Sequence, residues 1–236
     1  MRQISVDRPI AIFYGGTNGS GKTTLRAAYD DQSIDIHIDP DQIARKINPQ
    51  DPRSVDMAAG KEALRLFELA LEENKSFTME STLTGKSILR RMDKTASQGY
   101  HTELRYIGLA SSDMNVERVH QRVARGGHSI DDDVVRKRYQ ESRDNLIHAA
   151  KIADRIVIWD NSGPSANSIA TIENGTLKKN PDIEMPVWVN NVLQELGYAR
   201  HQLSPYDIKE NGLQSSNKIF EQLSISKNND DELKPK

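Results

Sequence analysis

One junction constrains this chain more than any other. The apolar run Ile10–Tyr14 leads directly into Gly15-Gly16-Thr17-Asn18-Gly19-Ser20-Gly21-Lys22-Thr23-Thr24. From Gly16 onward this is G-x-x-x-x-G-K-[ST] with every fixed position present,. Glycines at that spacing let the backbone turn so that successive N–H groups face phosphate oxygens. Lys22 adds a point charge for the β- and γ-phosphates, and the Thr23 hydroxyl suits a Mg²⁺ shell. The segment Thr23–Tyr29 is helix-capable, and a helix starting there directs its positive end at the same phosphates,. Strand, loop and helix agree on a nucleotide site over Gly16–Thr24. They do not choose between a kinase, a GTPase and a motor-type ATPase.

The rest of the chain supplies an architecture for that loop. Four further apolar, β-branched runs follow: Ile34–Ile38, Phe77–Met79, Leu104–Leu109 and Ile156–Trp159. Near-continuous apolar runs of this length predict buried parallel strands. Helical periodicity lies between them, as in Gly60, Ala63, Leu64, Phe67, Ala70 and Leu71 over 57–73. Val116, Val119 and Val123 mark a second helix, and Val135, Tyr139, Leu146 and Ala150 a third,. Phe67, Tyr139 and Trp159 fall in these patterns and read as core. The alternation predicts an α/β fold with a five-stranded parallel sheet flanked by helices. Beyond Asp160, Ile169–Glu173, Asn174-Gly175 and Thr176–Leu177 read as a small hairpin, and Val187–Leu196 as a short helix ended by Gly197,. We expect one domain over 1–200 and a polar, disordered tail over 201–236, which closes as NNDDELKPK,.

Four features favour a kinase. Asp39-Pro40-Asp41 ends the second apolar run, and an acid at the carboxyl end of a strand faces the ligand crevice of an open sheet,. There it can take the proton of an attacking hydroxyl, or Asp41 can instead cap the helix that follows. Glu80-Ser81-Thr82 ends the third run and is placed to hold substrate hydroxyls or a metal-bound water, or to cap the next helix. Arg118, Arg122 and Arg125 share a helix face, Gly126-Gly127 breaks it, and Arg136 and Arg138 follow,. Two arginine-lined helices joined by glycines predict a lid over the γ-phosphate, with some but not all five arginines reaching it; a solvated basic face is the plainer alternative. Finally, no N-K-x-D guanine reader and no evident hhhhDE strand is present. His120, His128 and His148 are too scattered for a metal site. His128 either touches substrate or pins the turn.

The ordered set GGTNGSGKTT, IDPDQIA, FTMESTLTGKS, ERVHQRVARGGHSI, VVRKRYQESRDNL and IWDNS resembles the zeta-toxin family of phosphate-loop kinases over residues 10–165. The resemblance implies ATP and Mg²⁺ as cofactors, Lys22 as the phosphate lysine and Thr23 as the Mg²⁺ ligand. It implies Asp41 as general base, Glu80 and Thr82 as acceptor-holding residues beside Asp39, and Arg122 as a lid arginine on the γ-phosphate. Arg125 and Arg138 are candidates for a second lid arginine. It also implies an acceptor of the UDP-N-acetylglucosamine kind, with NAD-type molecules used by relatives, and a toxin whose candidate partner is an antitoxin protein. The chain departs from the family pattern where a substrate-binding arginine would follow Thr82. Thr84 stands there, with Lys86 nearby, and a helical glutamate of the family falls near Leu64.

Composition sets the remaining bounds. A net charge of -2 gives no global basic field, so nucleic acid is not the expected partner, although a polynucleotide kinase and a non-catalytic nucleotide switch stand as rival readings,. No cysteine is present, which removes disulfides and thiolate metal sites,. No run approaches the ~20 apolar residues of a membrane span, and a cytoplasmic protein is expected.

Overall fold

A computed structural model describes residues 8–29, 33–127 and 129–198. The expected tail over 201–236 and His128 lie outside the described residues. The compact unit that carries every element below ends at Leu196.

The strands are β1 (Ile10–Gly15), β2 (Ile36–Ile38), β3 (Phe77–Ser81), β4 (His101–Gly108), β5 (Arg155–Asp160), β6 (Asn167–Glu173) and β7 (Thr176–Lys179). The helices are α1 (Lys22–Ala28), α2 (Pro40–Ile47), α3 (Asp56–Glu72), α4 (Lys86–Ser97), α5 (Ser112–Ala124), α6 (Asp132–Ala149) and α7 (Val187–Glu195). A short 3-10 turn, Pro52–Val55, joins α2 to α3. The sheet order is β2-β3-β1-β4-β5-β6-β7. The first five strands are mutually parallel, as expected. The sheet has seven strands rather than five, because the hairpin joins it. β6 lies antiparallel on β5 and β7 on β6. The hairpin thereby covers a β5 edge that would otherwise leave its N–H and C=O groups unpaired. Its turn is Asn174-Gly175 with positive φ at both residues (49° and 72°), the geometry that the right-handed twist of a hairpin requires,.

β1 is buried from Ala11 to Gly15, consistent with a strand covered on both faces,. Phe77 on β3 sits at the centre of one side of the core. Its ring meets Phe13, Phe67 and Tyr100 at centroid distances of 5.8, 5.7 and 5.7 Å. Tyr100 is fully buried, and its hydroxyl donates to the carbonyls of Ala70 (2.7 Å) and Lys75 (3.1 Å) at the end of α3. The Ala70 carbonyl also accepts from the Lys75 amide at 2.9 Å, so the phenol reinforces the turn that closes α3,. Phe67 and Trp159 are core residues, while Tyr139 is half-buried.

Two helix ends fix the future site. Asp39 caps α2: its Oδ1 accepts from the amides of Asp41 (3.0 Å) and Gln42 (3.1 Å), with Pro40 at the first helical position,. α5 ends at the glycine pair. Gly126 takes φ 84°, its amide donates to the Val123 carbonyl, and the Gly127 amide donates to that of Arg122. This double bond pattern stops the helix and turns the chain toward α6.

Candidate active site

The loop Gly16–Gly21 hangs between β1 and α1, pressed against the ends of β4 and β5. A Cβ on Gly16 (φ 141°) would lie 2.2 Å from the Ile107 carbonyl oxygen, and one on Gly21 (φ 98°) 2.4 Å from Asn161 Nδ2. Neither position can carry a side chain, which is the physical content of the glycines in the motif. Lys22 Nζ folds back to donate to the carbonyls of Gly16 (2.7 Å) and Thr17 (3.2 Å). Burial pushes the Lys22 ammonium below its ordinary pKa, and the carboxylates of Glu80, Asp41 and Asp39 oppose that shift,. α1 starts without a capping side chain.

A cavity of about 800 Å³ opens over this loop. Its floor is Asn18, Gly19 and Gly21–Thr24. One wall is the end of α5, with Arg118, Gln121, Arg122, Arg125, Gly126 and Gly127. The facing wall is α2 and the turn after it, with Asp41, Arg45 and Pro49–Pro52. Glu80 and Asn161 complete the lining. Five cationic side chains (Lys22, Arg45, Arg118, Arg122, Arg125) face three carboxylates (Asp41, Asp51, Glu80), so the cavity favours anions although the chain's net charge is -2,.

The expected lid arginines divide by their contacts. Arg118 donates to the Asn161 carbonyl at 2.6 Å, and Asn161 in turn donates to the Ser20 carbonyl at 2.8 Å. Arg138 donates to Asn18 Oδ1 at 2.9 Å and so braces the loop from α6. Asn115, fully buried, donates to the Asn18 carbonyl at 2.7 Å. Arg136 turns to Asp113 (3.1 Å) and Asp133 (3.8 Å) on the surface, away from the cavity. Arg122 and Arg125 line the cavity one helical turn apart.

At the far side of the loop, Thr23 Oγ1 donates to Glu80 Oε2 at 2.9 Å. Arg26 Nε donates to Glu80 Oε1 at 2.6 Å, and its guanidinium lies 3.7 Å from Asp39 Oδ2. That Asp39 oxygen is buried without a hydrogen bond. Burial first, and then the charge of Glu80, push the Asp39 carboxyl up to about 6,. A hydroxyl and two close carboxylates form a hard-oxygen set of the kind Mg²⁺ accepts. No group of three or more His, Cys, Asp or Glu among the described residues could hold a metal by itself. A fit for Mg²⁺ here therefore depends on nucleotide phosphates and water to complete the shell.

Several expected residues stand elsewhere. Asp39 is buried as the cap of α2, while Asp41 stands exposed in its first turn and lines the cavity. Thr82 bonds Thr84 (2.8 Å), Lys86 is exposed at the start of α4, and neither Thr82 nor Lys86 lines the cavity. Four contributors were missed in the sequence reading: Arg26, Arg45, Asn115 and Asn161. Two of them had a signal available. Arg26 falls four residues after Lys22, and Arg45 four after Asp41, each on the same helix face as a residue already singled out.

The comparisons with known proteins bear on the family and the fold. The sequence profile of the Zeta toxin family matches residues 2–167. An uncharacterized protein of Haemophilus influenzae is 47% identical over 129 residues, covering 55% of this chain and 91% of that one. The structure of the AvrRxo1-ORF1:AvrRxo1-ORF2 complex with sulphate ions superposes at TM-score 0.60 with 12% identity, over 84% of this chain and 66% of that one. This chain thus spans just under two thirds of that protein's length. The same complex with ATP superposes at TM-score 0.57 with 11% identity. The PezAT chromosomal toxin–antitoxin system of Streptococcus pneumoniae superposes at TM-score 0.50 with 19% identity, over 91% of this chain and 86% of that one. At these identities the superpositions speak for fold alone. The match runs through β1 to the start of β6, and on it the chain belongs to the Zeta toxin family.

Proposed function

We propose that this protein is an ATP-dependent kinase that moves the γ-phosphate to a hydroxyl of a small nucleotide-type acceptor. A UDP-sugar such as UDP-N-acetylglucosamine is the first candidate. The observation that carries the reading is that Lys22, Asp41 and the Arg118–Arg122–Arg125 row line one cavity. Phosphoryl transfer needs those parts together: a lysine on the phosphates, an acid at the acceptor hydroxyl, and arginines over the charge that spreads in the transition state. The family match and the AvrRxo1 complex with ATP support the nucleotide.

In this reading the acceptor enters between α2 and the loop. Asp41 takes the hydroxyl proton as the new O–P bond forms, the bond from Pγ to the β–γ bridging oxygen breaks, and ADP leaves. Lys22 exchanges its two carbonyl partners for β- and γ-oxygens. Arg122 and Arg125 close on the γ-phosphate, while Arg138 and Asn115 keep the loop in shape through Asn18. Thr23, with Glu80 behind it, would hold Mg²⁺, which when bound neutralises charge on the phosphates. The toxin–antitoxin setting of PezAT supports an antitoxin protein as partner. No described helix is long and apolar enough to cross a membrane.

The deciding experiment measures ADP release from ATP·Mg²⁺ with UDP-N-acetylglucosamine, other sugar nucleotides, NAD and a DNA oligonucleotide. Stimulation by one small acceptor, lost in Asp41→Asn, is expected. Stimulation only by the oligonucleotide would make the protein a polynucleotide kinase, and binding of ATP without any stimulation would favour a nucleotide switch.

A further inference from the structure

We infer that Trp188, on a helix beyond the family-matched residues 2–167, is a positioning residue for the phosphate loop. Its indole N–H acts through Asp160 and Asn161. The inference rests on the nucleotide half of the kinase reading and not on where the phosphate goes.

α7 lies against the ends of β4 and β5. Trp188 is buried there, with its ring over Gly108, where a Cβ would meet it at 2.4 Å. The bare glycine at the end of β4 lets the indole reach the neighbouring strand. Trp188 Nε1 donates to Asp160 Oδ1 at 2.7 Å, and Asp160 aligns with Gly108 in the β4–β5 register. The same oxygen accepts from Ser162 Oγ at 2.7 Å, and Ser162 Oγ accepts from the Ala110 amide at 2.8 Å. The residue enclosed by these bonds is Asn161. Its amide donates to the Gly108 carbonyl at 3.0 Å, and its Nδ2 donates to the Ser20 carbonyl at 2.8 Å. Asp160 and Asn161 alone therefore separate Trp188 from a carbonyl of the phosphate loop.

The same ring also touches the second brace of the loop. The Arg143 guanidinium lies between the rings of Tyr139 (4.3 Å) and Trp188 (4.8 Å) and donates to the Leu109 carbonyl at 2.8 Å. Arg143 belongs to α6, the helix whose Arg138 holds Asn18 Oδ1. One indole thus contacts both supports of the loop, at Ser20 and at Asn18. A phosphate loop works by the direction of its amides, and small displacements of such a frame are costly. A phenylalanine or leucine at 188 would fill space over Gly108. Only a ring with an N–H also fixes the carboxylate beside Asn161, so the polar bond points to positioning in addition to packing.

The test titrates the full chain with a non-hydrolysable ATP analogue and Mg²⁺, with urea unfolding read beside it. Trp188→Phe keeps a ring over Gly108 and removes the N–H. It should weaken the analogue by about three- to tenfold, the scale of one hydrogen bond. Asp160→Asn weakens the same bond from its other end with the indole in place. It should shift affinity in the same direction, which keeps the test decisive if Trp188→Phe does not fold. Val189, fully buried on the same helix, is the control. Val189→Ala removes volume and no hydrogen bond, and should leave affinity within about twofold of the parent whatever its stability. Asn161→Ala should weaken the analogue too, and Trp188→Phe added to it should weaken binding by less than about twofold more, because the N–H acts through Asn161. Unchanged affinity in Trp188→Phe or Asp160→Asn, equal weakening by Val189→Ala, or additive losses in the double variant would each overturn the inference. The two readings fail separately. Absent acceptor-stimulated ADP release with these affinity shifts removes the kinase and keeps the positioning role; normal turnover with unmoved affinities does the reverse.

Discussion

Thr23 and Glu80 meet across the seam between β1 and β3, with Thr23 Oγ1 donating to Glu80 Oε2 at 2.9 Å. One residue lies in the first turn of α1 and the other one position before the end of β3, 57 positions later. Parallel pairing of β1 with β3, in which Tyr14 aligns with Glu80, brings them together.

If Thr23 and Glu80 serve the cation, Glu80→Gln should act on magnesium before it acts on nucleotide. The Mg²⁺ concentration for half-maximal turnover should rise by about tenfold, the usual scale for losing one carboxylate near a metal. Binding of the ATP analogue without Mg²⁺ should change by less than about threefold. A Mg²⁺ titration of ADP release reads the first and fluorescence titration the second. An unchanged Mg²⁺ requirement would return Glu80 to the acceptor side.

Lys22 and Asp41 should separate binding from chemistry. Lys22→Ala removes a charge-assisted contact and should weaken ATP·Mg²⁺ binding by about tenfold or more. Asp41→Asn keeps shape and should bind ATP within about twofold of the parent, while turnover drops by about 10²–10⁴, the range for general-base loss. Calorimetry of both variants, beside ADP release, is the check. Full turnover in Asp41→Asn would end its role as base.

Asp39 predicts a pH dependence of stability. Its carboxyl is pushed up from 3.8 to about 6 in the folded protein. The fold therefore holds this proton more tightly than the unfolded chain. Its contribution to stability should fall as pH rises from about 4 to about 6 and stay flat above that. Asn is also a good helix cap, so Asp39→Asn should keep α2 and remove the penalty. Urea unfolding at pH 4, 5, 6 and 7.5 should show the variant gaining about 1–3 kcal/mol on the parent across that window. A constant difference between the two at all four pH values would refute the assignment.

Gly108 and Trp188 predict a coupled pair. A Cβ on Gly108 would lie 2.4 Å from the Trp188 ring, which is buried and whose Nε1 donates to Asp160 Oδ1 at 2.7 Å. Gly108→Ala should cost about 1–3 kcal/mol by overpacking. Trp188→Leu should cost about as much through lost packing and an unpaired Asp160. The double variant should be more stable than the sum of the two, because the clash disappears with the ring. Additive costs in chemical denaturation would mean that the contact does not matter.

Much of the fold was legible in the sequence because its signals are local. The five parallel strands are short apolar runs, the Gly16–Thr23 spacing describes a loop that tolerates no Cβ at Gly16 or Gly21, and Asn174-Gly175 names its own turn. The end of α5 at Gly126-Gly127 was equally local. The hairpin's place on β5 was not legible, since an edge accepts a partner through backbone groups that every sequence shares. The sequence placed Glu80 at the end of the third apolar run, but not its strand's burial. Thr78 interrupts the apolar run, and only the fold shows that it is buried, with its hydroxyl on His37 Nδ1 at 2.9 Å.

The sequence by itself determined a phosphate loop, the strands and helices around it, and the types of residue available for chemistry. Tertiary structure decided their pairing. It turned Arg136 to the surface and Arg138 to the loop, although they lie only two positions apart on one helix. It made Asp39 a buried cap and left Asp41 in the cavity. It set Thr82 and Lys86 aside and brought Arg26, Arg45, Asn115 and Asn161 in. The physical reason is range. Periodicity and motif spacing act over a few residues along the chain, whereas a hydrogen bond or an ion pair acts over about 3–4 Å in space. Only the packing of strands from distant parts of the chain sets those distances.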